Sequence, residues 1–406
     1  MSISLLFYHI FVNNAIELII FNVFARRVAA SLSKNVDKAL LWIYNISVRV
    51  IYGYFQKEGH IMIGELSKKE FKVLGLGEVM LRLSPVGKER ISYCETFEKR
   101  AGGSELNVVS GISMLGLRTG MITKLPKSEI GKFVKHKVRY SGTSDDFIVY
   151  DDSPEMRLGV YYYESGAYPR LSVVSYDRAR SSFTSFKQAE LPERAYSSAN
   201  IFHTSGITLA LSPEVREESV AIMRRFHDEG ALISFDVNYR AALWDETTAK
   251  ATITDILPII DILFISEETS RRMFGMTGTL CEIHKQFAEK YPNLKIIAST
   301  KRKVISPQRH SFSSLVYDCA EDIHFEEAPY ENIEVVDRVG SGDAYVAGAL
   351  YALCRFRDIE QMARYGDAMA ALKNTILGDT TECDIVDIER IIRHHTTDGP
   401  KSEMVR

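Results

Sequence analysis

Residues 335–353 read Val-Val-Asp-Arg-Val-Gly-Ser-Gly-Asp-Ala-Tyr-Val-Ala-Gly-Ala-Leu-Tyr-Ala-Leu, and the rest of the chain is organised around them. A short β-branched run ends at Asp337, Gly340 and Gly342 flank Ser341, and Asp343 opens an alanine-rich apolar segment of good helix propensity. Glycines at a strand-to-helix turn let the backbone approach a ligand and aim free N–H groups at it. Together with the helix dipole, those groups favour an anion. Gly340, Ser341 and Gly342 are therefore expected to cradle a phosphate. A carboxylate beside that site repels phosphate unless it has chemical work, which for Asp343 is most simply that of a general base for an attacking hydroxyl. Read alone, the same residues also describe a glycine turn with an aspartate capping a helix.

The chain has 406 residues, room for one large domain or two ordinary ones, and 46% apolar with 25% charged residues is the composition of a globular protein. A net charge of -3 gives no reason to expect nucleic acid or an acidic membrane surface as partner. The five cysteines, Cys94, Cys281, Cys319, Cys354 and Cys383, form no C-x-x-C pair and read as reduced thiols of a cytoplasmic protein with no zinc site.

Residues 1–61 differ in composition from the rest of the chain. The apolar run from Ile3 to Ala25 is interrupted by Asn13, Asn14 and Glu17, is marginal for a membrane span, and lacks the pattern of a signal peptide. The stretch Ala39 to Tyr54 carries Arg49 and also suits an amphipathic surface helix. The expectation is that 1–61 is translated leader outside the fold, with Met62 as the start, because the codons for Lys57 to Ile61 can hold a ribosome-binding sequence.

From Phe71 the pattern is regular. Phe71–Leu76 reads as a first strand, Val79–Leu83 as another apolar stretch, and Ile91, Tyr93 and Phe97 as a short exposed strand. Ala101 to Glu105 opens a helix ending at Gly116, and Met121–Lys124 comes next as a strand, which makes a unit suited to a parallel α/β sheet. Phe147–Tyr163 and Leu171–Tyr176 read as a projecting hairpin. The α/β rhythm then resumes with strands at Ala199–His203, Leu232–Asp236, Ile262–Ile265 and Lys295–Ala298, helices at Pro213–Glu229 and Glu267–Phe274, late antiparallel strands, and a closing helix over Tyr365–Leu377.

The two glycine sites, Gly102-Gly103-Ser104-Glu105-Leu106-Asn107 and the D-x-x-G-x-G-D run from Asp337 to Asp343, resemble those of ribokinase-like (PfkB-type) carbohydrate kinases. Gly77 to Pro85, His203 to Thr208 and Phe235 to Arg240 look most like the 2-keto-3-deoxygluconate kinases among them, and the resemblance spans Phe71 to Asp379. It implies a three-layer α/β/α core over residues 62–390, a mostly parallel sheet, a small β lid from strands around 88–100 and 147–178, and a polar tail at 391–406. It implies ATP and Mg2+ as cofactors, in-line transfer to the terminal hydroxyl of a sugar acid, Asp343 as base, and a homo-oligomer formed through the lid.

By the family pattern Arg240, after a strand's carboxyl end, contacts the acid, a task for which a guanidinium fork is suited. Tyr176, Arg178 and Tyr161 reach the substrate from the lid, although alternation in Tyr161-Tyr162-Tyr163 leaves at least one of these as packing. Gly103 lets backbone approach the sugar, with Asn107 nearby. Two features depart from the family. Ser266-Glu267-Glu268-Thr269 stands where relatives carry N-x-x-E, so the metal ligands are unassigned, with Glu267 or Glu268 as substitutes. Ser299-Thr300-Lys301-Arg302-Lys303 replaces a glycine-rich nucleotide loop, with Lys301 expected on a phosphate and Asn374 beside the adenine. The alternatives are a neutral-sugar kinase such as a fructokinase, and a non-catalytic sugar-acid sensor on the same fold.

Overall fold

The computed structural model describes residues 66, 68–306 and 308–396. The extension 1–61 and the expected start at Met62 lie outside the described residues. No helix among the described residues is long and apolar enough to cross a membrane.

The main sheet is built from β1 (Phe71–Leu76), β4 (Thr119–Pro126), β5 (Ser144–Asp151), β8 (Ala199–Ser205), β9 (Leu232–Asp236), β10 (Ile262–Phe264), β11 (Ile296–Ser306), β12 (Arg309–Asp318), β13 (Ile323–Glu326) and β14 (Tyr330–Glu334). Its order is β13-β12-β11-β10-β9-β8-β1-β4-β5, with β14 on β12. From β11 to β5 every pairing is parallel, and β12 pairs antiparallel with β11, β13 and β14. Both faces are covered, so the parallel strands are apolar almost throughout. In β10, Ile262 and Phe264 enter one core while Leu263 enters the other.

One face packs α1 (Ser104–Met114), α2 (Glu129–Tyr140), α7 (Ser341–Phe356), α8 (Ile359–Asn374) and α9 (Ile385–Thr396). The other face packs α3 (Pro213–Asp228), α4 (Glu246–Ile256) and α6 (Leu280–Lys290), beside α5 (Glu267–Phe274). This is the three-layer core expected from the sequence. Helix starts follow local capping: Ser212, Asp245, Ser266, Thr279 and Asp358 each accept a first-turn N–H. The closing helix begins at Ile359, ahead of the expected Tyr365, and α9 extends to Thr396, so the first residues of the expected tail are helical.

A second sheet, ordered β3-β2-β6-β7, joins β2 (Met80–Pro85), β3 (Phe97–Gly102), β6 (Val160–Glu164) and β7 (Val173–Asp177). Its membership corrects the expected lid boundaries. Residues 88–96 form no strand, and Val79–Leu83 supplies one instead. Phe147 to Asp151 belongs to the main sheet, because Phe147 and Ile148 are buried in opposite cores and need cover on both sides.

Candidate active site

The chain runs from β1 toward β4 and β5 on one side, then returns to β8 and continues through β9, β10 and β11 on the other. The order reverses between β1 and β8, which in open parallel sheets is where ligands bind, at the carboxyl ends of the strands. A cavity of about 820 Å³ lies there, roofed by the small sheet. Gly103, Asn107, Tyr161, Tyr176, Arg178, Arg240, Gly340, Ser341, Gly342 and Asp343 all line it. Lys301 and Asn374 do not.

Asp343 stands in the first turn of α7, half-buried at the cavity wall. Its Oδ1 accepts from Ser104 Oγ at 2.7 Å and its Oδ2 from Asn107 Nδ2 at 2.7 Å. Each oxygen keeps a lone pair for a substrate hydroxyl. Burial raises its pKa above the usual aspartate value, against the two hydrogen bonds and the charge of Arg240. Asn238 Nδ2 donates to Ser104 Oγ at 3.2 Å, and an Asn238 φ of 34°, in a turn closed by its own N–H on Asp236 Oδ1 at 3.1 Å, gives the side chain that direction.

Gly340 caps the same helix with φ 81°, and a Cβ there would meet the Asp379 carbonyl oxygen at 1.9 Å. A side chain is excluded by conformation and by space alike. A Cβ on Gly342 would touch nothing within 4 Å, because it faces the open cavity. Asn374 lies behind this turn and does not line the cavity. Its Nδ2 donates to Ser341 Oγ at 2.9 Å and to the Ala370 carbonyl at 2.7 Å, while Val336 N–H donates to its carbonyl at 2.7 Å. It shapes the cradle from below.

Lys301 is corrected as well. Its Nζ pairs with Glu326 at 2.7 Å on the outer face of the hairpin. The next residue, Arg302, pairs across the strand with Phe312, and both line the cavity. Successive strand residues face opposite ways, so one position decides between solvent and site.

The lid residues are tied down. Arg178 grips Glu78, with Nε at 2.9 Å from Oε2. The Tyr161 hydroxyl donates to Asp379, and the phenol pKa is raised by burial and by that carboxylate. Tyr176 is 54% exposed, its ring centroid 5.8 Å from that of Tyr161. Beneath the lid, Arg82 of β2 donates to Asp337 Oδ2 at 2.5 Å and to Asp379 Oδ1 at 2.6 Å, all three side chains being buried. The strand that roofs the cavity is thereby fastened to Asp337 and Asp379, which flank the Gly340 turn.

Two further carboxyls line the cavity, and sequence reasoning missed both. Glu105 accepts from Ser205 Oγ and Thr208 Oγ1, each at 2.7 Å, and burial pushes its pKa up to about 7. Asp236 is also pushed up to about 7, first by burial and then by the Asp343 charge, with Arg240 opposing. Glu105 lies inside the first glycine motif and Asp236 inside the run from Phe235 to Arg240, which was the available signal. Among the described residues no three His, Cys, Asp or Glu side chains converge as a metal cage.

A family model for pfkB family carbohydrate kinases matches residues 71–384. The chain belongs to that family. This kinase is 32% identical over 322 residues to the 2-dehydro-3-deoxygalactonokinase of Haloferax volcanii, covering 79% of this chain and 96% of that protein. It is 26% identical over 287 residues to the 2-dehydro-3-deoxygluconokinase of Bacillus subtilis, covering 70% and 83%. In structure, the kinase is similar to the 2-dehydro-3-deoxygluconokinase of Thermotoga maritima, with TM-score 0.75, 31% identity, and coverage of 80% of this chain and 99% of that one. The fold expected from the sequence is that of this family.

Proposed function

We propose that this kinase transfers the γ-phosphoryl of ATP to the terminal hydroxyl of 2-keto-3-deoxygluconate, giving 2-keto-3-deoxy-6-phosphogluconate. The observation that carries the reading is an anchored carboxylate, Asp343, in one cavity with a guanidinium, Arg240, whose only side-chain hydrogen bond among the described residues is to the Tyr239 carbonyl at 3.4 Å. A neutral sugar offers the Arg240 fork no anionic partner to grip, whereas a sugar acid brings a carboxylate for it. This argues against the fructokinase alternative, and the base beside the cradle argues against a sensor. The name of the Haloferax relative supports a second reading, in which the galactonate epimer is the substrate.

In this mechanism Asp343 takes the hydroxyl proton, the hydroxyl oxygen bonds to the γ-phosphorus, and the bond to the β-phosphate oxygen breaks as ADP leaves. The amides of Gly340 to Asp343 stabilise charge on the phosphoryl in flight. Gly103 admits the sugar closely and Asn107 holds the base, while Tyr176 and Arg178 border the sugar from the lid. Magnesium bound with the triphosphate would neutralise part of its charge, and would need few protein ligands beyond phosphate and water. Both Glu267 and Glu268 are ion-paired, with Arg271 at 2.5 Å and Arg272 at 3.1 Å, but only Glu268 lines the cavity and would be the carboxylate placed to meet the ion, directly or through water.

The enzyme is proposed to work in the cytoplasm, a placement supported by its unpaired cysteines. A homo-oligomer through the lid is supported by exposed Leu171, Val173, Val174 and Tyr176 on and beside the edge strand β7. The function is tested by coupled ADP release with Mg-ATP, offering 2-keto-3-deoxygluconate, its galactonate epimer, fructose and ribose. Turnover confined to the acids, with their KM raised selectively in Arg240→Ala, is expected. Turnover on fructose with no effect of Arg240→Ala contradicts the reading.

A further inference from the structure

The cavity wall contains Arg178, Arg240, Arg272, Arg302 and Arg338. Arg178 is committed to Glu78, and Arg272 to Glu246 at 2.9 Å and Glu268 at 3.1 Å. Arg302 and Arg338 have no hydrogen-bonded or ion-paired side-chain partner among the described residues. A lone exposed arginine is ordinarily solvated and needs no explanation. Here Arg240, Arg302 and Arg338 come from three separate elements, the loop after β9, strand β11 and the turn before α7, and converge on one cavity. They lie close enough to repel: burial and the charges of Arg338 and Arg240 hold the Arg302 pKa below its usual value. His310, behind them, is lowered by burial and by Arg302 and Arg338. Asp343 and Asp236 offset the charge of Arg240, but Arg302 and Arg338 have no ion-paired carboxylate among the described residues, and a bound polyanion relieves their repulsion.

We propose that Arg302 and Arg338 form a clamp for the polyphosphate chain of ATP, leaving Arg240 to the carboxylate of the sugar acid. This rests on the reading of the site as an ATP-dependent sugar-acid kinase. Arg338 stands two residues before Gly340, beside the cradle for the transferring phosphoryl. Arg302 shares the cavity face of β11 with Thr300, in the segment Ser299 to Lys303, which contains no glycine. Backbone amides of a glycine loop are one way to hold phosphate; a planar guanidinium with paired donors is another, and it needs no tight turn. A triphosphate carries several negative charges and occupies more than one guanidinium, whereas a single carboxylate is satisfied by one.

The test uses Arg302→Gln, Arg338→Gln and their combination, with Arg302→Lys as the conservative variant. The readouts are KM for ATP, KM for the sugar acid, the dissociation constant for ADP by calorimetry without sugar, and inhibition by inorganic tripolyphosphate. Each glutamine variant is expected to weaken ATP, ADP and tripolyphosphate by about tenfold, the loss of one charge-assisted contact, with the sugar-acid KM within about twofold and partial rescue by lysine. A selective rise in the sugar-acid KM would overturn the clamp and make the pair carboxylate ligands. Unchanged ADP binding in the double variant would also overturn it. The ADP measurement needs no sugar. Failure of the substrate assignment leaves the wild type binding ADP more tightly than the variants, whereas failure of the clamp leaves them equal.

Discussion

The hydroxyl of Ser104 donates to Oδ1 of Asp343 across 2.7 Å, joining two residues 239 positions apart. With Asn107 on the other oxygen, α1 holds the carboxylate that α7 presents, so the two glycine motifs meet at one side chain. These hydrogen bonds favour the ionised form and oppose the burial that raises its pKa.

Asn107→Leu removes one such bond. The Asp343 pKa then rises further, and the acid limb of kcat/KM is expected to move to higher pH by about one unit. A pH–rate profile of variant and wild type checks this. An unmoved limb would mean that another group limits the rate.

The Arg82 ion pairs predict a stability effect. Arg82→Met takes the ion-paired guanidinium from two buried carboxylates, Asp337 and Asp379, at an expected loss of roughly 3–5 kcal/mol by urea denaturation. Adding Asp337→Asn and Asp379→Asn should recover part of the loss, because the stranded charges are then gone. No recovery would show that the arginine acts through packing against Tyr163, whose ring centroid lies 4.4 Å from its guanidinium carbon.

Glu105 gives a pH-dependent prediction. Its folded-state pKa of about 7 exceeds the ordinary 4.5, so the folded chain binds the proton more tightly. That contribution to stability is complete below the unfolded value and is lost as pH rises through about 7. Glu105→Gln cannot ionise, and its stability relative to wild type should grow with pH by up to roughly 3 kcal/mol at about pH 8.5, shrinking toward zero near pH 4. Denaturation curves at both ends of that range decide it.

The architecture was legible because strands buried on both faces read as apolar runs and helices open on capping residues. The turn at Gly340 and the placing of Asp343 at the start of a helix were legible because a glycine turn before a helix has few structural solutions. Lys301 and Arg302 show the limit. Two basic neighbours on a strand look alike until the register pairs Arg302 with cavity-lining Phe312 and Lys301 with Ser313. Arg82, Asp337 and Asp379 were out of reach for another reason, since they meet only through pairings 255 and 297 residues long. Asn374 does belong to the site region, but its helix end lies under the cradle, where it supports Ser341.

The central claim is that Asp343 is the base, and the direct measurement is kcat of Asp343→Asn with the sugar acid, beside its ADP affinity. Asparagine keeps the shape and a carbonyl acceptor but cannot take the proton. A fall in kcat of about 10²–10⁴-fold with ADP binding retained is the predicted result. A variant that turns over within a few-fold of wild type would contradict the account and return Asp343 to the role of a helix-capping residue.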